Sequence, residues 1–201
     1  MQVQDLMITE PITIAPDASI QEALEKMKAN AIRHLPVVGE SGRLRGFLTL
    51  ADLKRGLLPS MVADLELGDL MVREPVTVTP ETDVEQAARL IYDRKISGLP
   101  VVSNAVLVGI ITESDILRAF IDMMGILSSS SRIDAVVGDG NRGFRQAVHI
   151  IEEAGGEIIN VGMTARQSRQ KTYYFRLSSG DTAAIAAALE AAGIEVLSRI
   201  E

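Results

Sequence analysis

Two short polar turns hold the residues of this sequence that are best suited to binding a small molecule. Each has the pattern Thr-x-x-Asp, with Thr49 followed by Asp52 and Thr112 followed by Asp115. A carboxylate at a helix start can accept hydrogen bonds from the two hydroxyls of a ribose, and the exposed N–H groups of that helix start favour an anion. The same pattern is a capping box, which only closes the helix end. Both interpretations stay open, since one carboxylate can serve both roles in different states.

A basic pair, Arg33 and His34, stands directly before the segment LPVV. Arginine is always charged and can hold a phosphate through two parallel N–H bonds, and a histidine adds charge when it is protonated. The alternative is that Arg33 is a solvated surface charge and His34 a packed histidine. A second copy of the segment has Ser97 and Gly98 at these positions, which supply no charge. We therefore expect the two copies to differ in their affinity for phosphate.

These residues belong to a duplicated unit. The segment DLMITEPITIAP, which starts at Asp5, returns as DLMVREPVTVTP from Asp69, and the prolines keep an offset of 64 residues as far as Pro36 and Pro100. One residue is then dropped, and the glycine and aspartate that follow keep an offset of 63. A register of that length indicates an internal repeat.

Each repeat predicts the order strand, helix, strand, strand, helix. The short stretches PITIAP and PVTVTP are bounded by prolines and predict the first strands. Ser19 with Glu22, and more loosely Asp83 with Gln86, predict the helix starts. Apolar residues at the spacing of one helix face follow in both copies: Ile20, Ala23, Leu24 and Met27, and Val84, Ala87, Ala88 and Ile91.

The segments HLPVV…GFLTLAD and GLPVV…GIITESD resemble the CBS domain, and the resemblance covers roughly residues 1–125. It implies two units packed as a pair, with two clefts related by an approximate twofold axis. It also implies a sensor that binds an adenosine-containing ligand: AMP, ADP, ATP or S-adenosylmethionine. Carried onto this sequence, the nucleotide-binding residues are Thr112, Asp115, Thr49, Asp52, Arg33 and His34, with ribose on an aspartate and phosphate on the basic pair.

The last third of the chain has a different pattern. A serine run at residues 126–131 predicts a linker. Residues 132–201 then predict the order βαββαβ of a ferredoxin-like fold. The first helix has an apolar face formed by Phe144, Ala147, Val148 and Ile151, and the second helix has one formed by Ile185, Ala188, Leu189 and Ala192.

This segment resembles the ACT domain in its first turn, GDGNRGFRQAV, and in the strand GGEIINVGM. The resemblance implies pairing into a homodimer and a possible amino-acid site, for which the candidates are Asp139, Asn141, Arg142 and Asn160. A dimerisation module without a ligand is the alternative. Two CBS units and one ACT unit form the layout of the AcuB-like proteins of acetoin utilisation.

Composition excludes several other classes. The formal net charge is −7, which opposes sequence-independent binding to nucleic acid. Cysteine is absent, so no thiolate can serve as a nucleophile or a metal ligand. The start of the sequence is not typical of a secretory signal, and no apolar run has the length of a membrane span. We expect a cytoplasmic protein without membrane contact.

Neither a catalytic cluster nor a metal site is predicted, because His34 and His149 stand alone and no phosphate-binding or nucleophile motif is present. The sequence predicts an α+β protein with domains at residues 1–60, 61–125 and 132–201. Its expected role is regulation rather than catalysis, with an adenine nucleotide as the regulatory ligand, no required cofactor and an unidentified target protein. The alternative is an amino-acid-responsive regulator in which the CBS pair is only a scaffold.

Overall fold

The fold comes from a computed structural model that describes residues 1–56, 65–127, 130–138, 141–165, 171–178 and 180–200. Contacts divide the chain into two compact units, Met1–Leu117 and Arg118–Glu201. No helix among these residues has the length and apolarity needed to cross a membrane.

The N-terminal unit holds both repeats, and from the first long helix onward each has the predicted order helix, strand, strand, helix. The first repeat contains β1 (Ile8–Thr9), α1 (Ile20–Ala29), β2 (His34–Val38), β3 (Leu44–Thr49) and α2 (Leu50–Gly56). The second contains α3 (Leu67–Leu70), α4 (Val84–Arg94), β4 (Gly98–Ser103), β5 (Val106–Thr112) and α5 (Glu113–Met123), whose last residues fall in the second unit.

The predicted helix starts are confirmed, with one difference in detail. The hydroxyl of Ser19 accepts the N–H of Glu22 at 3.1 Å, which caps α1. Asp83 caps α4 by accepting the N–H of Glu85 at 2.8 Å, so its bond reaches two residues along the chain rather than the three expected for Gln86.

The predicted first strand of each repeat is reduced to a single bridge. Ile14 bridges Val37, and Val78 bridges Val101, both in parallel orientation. The prolines that bound these stretches lack an N–H donor, so the ladder does not extend beyond the central residue.

The two repeats exchange the segments with which they begin. β1 pairs with β5 of the second repeat in a sheet of order β1-β5-β4, and Val72 bridges Phe47 in β3 of the first repeat. The exchange includes the cores: Val3 belongs to the aliphatic core of the second repeat, and Leu67 to that of the first. The pair is therefore one interlocked unit rather than two independently folded domains side by side.

The C-terminal unit has the predicted βαββαβ order: β6 (Ser131–Val137), α6 (Asn141–Glu153), β7 (Ile158–Ala165), β8 (Lys171–Leu177), α7 (Thr182–Ala191) and β9 (Glu195–Ile200). Its antiparallel sheet has the order β7-β8-β6-β9. The predicted apolar face of α6 packs in the core around Phe175, whereas Ala192 is exposed because α7 ends one residue before it.

Candidate functional site

The first Thr-x-x-Asp turn joins β3 to α2 and is closed by its own side chains. The Oδ2 atom of Asp52 accepts the Thr49 hydroxyl at 2.6 Å and the Thr49 N–H at 3.0 Å. The Oδ1 atom of Asp52 is 2.8 Å from the guanidinium of Arg55. Both carboxylate oxygens are therefore engaged within the repeat.

The second turn joins β5 to α5 and repeats this geometry except for the arginine. The Oδ2 atom of Asp115 accepts the Thr112 hydroxyl at 2.7 Å and the Thr112 N–H at 2.8 Å. Within the described ranges of the N-terminal unit, no cation pairs with the Oδ1 atom of Asp115. Capping thus occurs at both turns, and at the second it leaves one carboxylate oxygen available.

Two clefts lie in the N-terminal unit, and each draws on both repeats. The cleft that we call the Thr49 cleft has a volume of about 1020 Å³. It is lined by Thr49 and Asp52 from the first repeat and by residues 72, 74–76 and 95–98 from the second, among others. The Thr112 cleft has a volume of about 410 Å³ and is lined by Thr112 together with residues 8, 10–12 and 32–34 of the first repeat. Small-molecule sites commonly measure about 300–1,000 Å³.

The structure decides which cleft receives the basic pair. Arg33 and His34 line the Thr112 cleft, although they belong to the first repeat. Arg33 is exposed, and Glu10 is the acidic residue that lines the same cleft. The Thr49 cleft has Ser97 and Gly98 at the equivalent positions, and it is lined by four acidic and two basic residues: Asp52, Glu74, Asp93 and Glu113, and Arg55 and Lys95. The two clefts therefore differ in charge.

His34 is the packed histidine that the sequence left as an alternative, and it also faces a cleft. Its ring is buried, with a centroid 5.8 Å from that of Phe47 and nearly parallel planes. Its Nε2 atom lies 2.7 Å from the hydroxyl of Ser97. Residues 33 and 97 are equivalent in the two repeats, so this bond joins the repeats across their approximate twofold axis.

Burial is the main influence on the charge state of His34, and it lowers the pKa of the imidazole below its usual value of 6.5. The positive charge of Arg33 lowers the pKa further, whereas the negative charges of Glu113 and Asp115 raise it. The ring is therefore neutral at pH 7, and Arg33 is the fixed positive charge of the pair.

The predicted residues of the C-terminal unit do not form a described site. Asp139 lies outside the described residues, as does the side chain of Asn141. Arg142 is exposed on the first turn of α6. The amide of Asn160 donates to the carbonyl of Met123 at 3.0 Å, which gives it a structural bond.

Sequence reasoning missed that Ser97 lines a cleft and bonds to His34, because a serine without charge was compared only with the arginine that it replaces. Its equivalence to Arg33 places it beside the axis and was the available signal. Across the part of the chain that the structure describes, no three histidine or acidic side chains are grouped closely enough to hold a metal ion.

A model of the CBS domain matches residues 3–59 and 67–122, which is more than half of the chain. The chain therefore belongs to the CBS domain family, and its N-terminal unit is a tandem CBS pair. A CBS domain-containing protein of Dictyostelium discoideum is 32% identical over 134 residues, which covers 61% of this chain and 92% of that protein.

A homoserine O-acetyltransferase of Methanosalsum zhilinae is 31% identical over 115 residues, which is 57% of this chain. The chain spans less than a quarter of the length of this relative and of the homoserine O-acetyltransferase of Methanocorpusculum labreanum.

Three solved structures are similar over the CBS pair. The CBS domain pair of protein MJ0100, in complex with 5′-methylthioadenosine and S-adenosyl-L-methionine, is 33% identical with a TM-score of 0.56, covering 60% of this chain and 95% of that one. CBSX2 of Arabidopsis thaliana in complex with AMP is 31% identical with a TM-score of 0.54, covering 60% and 96%. A Vibrio cholerae protein described as an acetoin utilization protein (AcuB) is 31% identical with a TM-score of 0.56, covering 63% and 94%.

Proposed function

We propose that this protein is a non-catalytic regulator that binds an adenosine-containing ligand in the Thr112 cleft. The observation that carries the proposal is that Thr112 and Arg33 line one cleft although they lie in different repeats. A nucleotide joins a ribose to a phosphate and therefore needs a hydroxyl acceptor and a cation within one cavity. Thr112, Arg33 and His34 line the Thr112 cleft, and Asp115 adjoins it through its bond to Thr112. We place the ribose on Thr112 and Asp115 and the phosphate on Arg33 and His34.

The second turn suits a ribose better than the first. One oxygen of Asp115 is held by Thr112 and the other can accept a ribose hydroxyl, whereas the second oxygen of Asp52 is already paired with Arg55. We propose that Thr49 and Asp52 hold a second, weaker site. The complexes of similar CBS pairs with AMP, S-adenosyl-L-methionine and 5′-methylthioadenosine support this ligand class.

The proposal is tested by thermal unfolding with AMP, ADP, ATP and S-adenosylmethionine. A ligand at 100 times its Kd stabilises the folded state by about 2.7 kcal/mol. Asp115→Asn keeps a side chain that can cap α5 but removes the charge that a ribose prefers, and Arg33→Ala removes the phosphate contact. We expect both variants to lose most of the shift produced by AMP.

Asp52→Asn is the matched control, since it makes the same chemical change in the other cleft. It should keep most of the AMP shift. Unchanged melting of the wild-type protein in all four ligands would overturn the proposal, and equal loss in the two asparagine variants would show that Asp115 has no special role.

For the C-terminal unit we propose an ACT-like regulatory module that pairs two chains into a homodimer. Its βαββαβ order and the strand order β7-β8-β6-β9 support this assignment. The similarity to the Vibrio cholerae protein supports a role among AcuB-like regulators. Sedimentation should give twice the chain mass. Calorimetry with the twenty amino acids, repeated on Asn141→Ala, tests whether the module also binds a ligand.

A further inference from the structure

His34 forms a wall that the two clefts of the CBS pair share. Its imidazole lines the Thr112 cleft. The ring also contacts Phe47, Ser97 and Gly98, all of which line the Thr49 cleft. The missing side chain at Gly98 makes room for the ring, because a Cβ there would lie only 3.2 Å from the Cδ2 atom of His34. Interiors are close-packed, so a change at His34 reaches both clefts.

The bond between His34 and Ser97 can exist in two forms. A serine hydroxyl has a single hydrogen. When the Nε2 atom of His34 is unprotonated, it accepts that hydrogen, and the hydroxyl has none left to donate into the Thr49 cleft. When Nε2 is protonated, it donates to Ser97, and the hydroxyl hydrogen is released toward the Thr49 cleft. The 2.7 Å distance suits both forms.

The charges around His34 link the form of the His34–Ser97 bond to the presence of a ligand in the Thr112 cleft. Burial and Arg33 keep the ring neutral, and Glu113 and Asp115 act in the opposite direction. An anion bound beside Arg33 would add a further negative charge next to the ring and cancel much of the effect of Arg33. A neutral imidazole can hold its hydrogen on either nitrogen, so both forms are open to it. The doubly protonated ring can only donate at Nε2, so its stabilisation by the anion shifts Ser97 toward the second form.

We propose that His34 and Ser97 couple the two clefts, so that an anionic adenosine ligand in the Thr112 cleft raises the affinity of the Thr49 cleft for a second ligand that carries a hydrogen-bond acceptor. The proposal rests on the proposed function, since it requires a nucleotide in the Thr112 cleft. Coupling between two sites commonly changes affinity about 5- to 150-fold.

The experiment is calorimetric titration of the full chain with AMP at pH 7. The wild-type protein should bind two AMP molecules, the second at least about five times more tightly than it binds when Asp115→Asn has disabled the Thr112 cleft. The Ser97→Ala variant should bind two AMP molecules, and its affinity for the second should not depend on whether the Thr112 cleft is occupied. Ser97→Thr keeps a hydroxyl and should restore this dependence, which a merely structural role for the side chain would not require.

A second readout is the proton balance of AMP binding. Titration in two buffers with different ionisation enthalpies should show proton uptake by the wild-type protein, and binding of AMP without proton uptake would overturn the coupling. Failure of AMP to bind at all would overturn the proposed function. Binding of a single AMP, binding of two without dependence, or dependence that survives in Ser97→Ala would overturn the coupling and leave the proposed function intact.

Discussion

His34 shows how one buried side chain connects the pH of the solution to the stability of the fold. In the unfolded chain a histidine is protonated near pH 6.5. In the folded protein, burial and Arg33 lower the pKa of His34, so the folded state takes up this proton only at a lower pH. Between these two values the unfolded state binds more protons, and stability therefore rises with pH.

We predict that the free energy of unfolding falls as the pH is lowered from 7.5 through 6.5, and that His34→Asn removes this part of the dependence. Urea denaturation of both proteins at intervals between pH 7.5 and 5.5 measures the difference. The asparagine is of similar size and can still bond to Ser97, so the comparison isolates the titrating group. If the free energies of unfolding of the two proteins changed in parallel with pH, the prediction would be contradicted.

At the scale of the elements, the exchange of segments explains the glycine within the second strand of each LPVV hairpin. Gly46 in β3 lies against Met71, and Gly109 in β5 lies against Met7. A Cβ at Gly46 would overlap the sulfur of Met71 and come within 3.1 Å of the carbonyl of Val72. That carbonyl accepts the N–H of Phe47 at 3.0 Å, so the glycine is what allows the crossing segment to pair.

We predict that Gly46→Ala lowers the free energy of unfolding by about 1–3 kcal/mol, since it overpacks the crossing. Gly68→Ala is the matched control, because the nearest atom to an added Cβ is a guanidinium nitrogen of Arg73 at 3.7 Å and Gly68 lies in α3. It should be neutral or slightly stabilising, as alanine favours a helix. Equal urea midpoints for the two variants would refute this account of the crossing.

At the scale of the whole molecule, the two compact units have separate hydrophobic cores. The core of the C-terminal unit is built around Phe175 and Leu177, and the N-terminal unit has one aliphatic core for each repeat. A unit with its own core can unfold by itself. A ligand of the CBS pair should therefore stabilise one unit and leave the other unchanged.

We predict two calorimetric transitions, of which AMP raises only one. Phe175→Ala removes a fully buried side chain and should lower the other transition, at a cost of about 3–5 kcal/mol to that unit. The AMP-dependent shift should persist in this variant. A single transition whose temperature changes both with AMP and with Phe175→Ala would show that the units unfold together.

The sequence by itself determined much of what depends on neighbours along the chain. The repeat register predicted equivalent elements, Ser19 predicted the start of α1, and apolar spacing predicted the buried face of α6. Such features follow from periodicity and capping, which act over a few residues. The βαββαβ order of the C-terminal unit was predicted for the same reason.

Only the tertiary structure decided how the repeats meet. It placed Arg33 with Thr112 rather than with Thr49, and it joined His34 to Ser97. No local pattern carries this information, because residues more than 60 positions apart are brought together by packing across an approximate twofold axis. The physical determinant is which surfaces of two similar units fit.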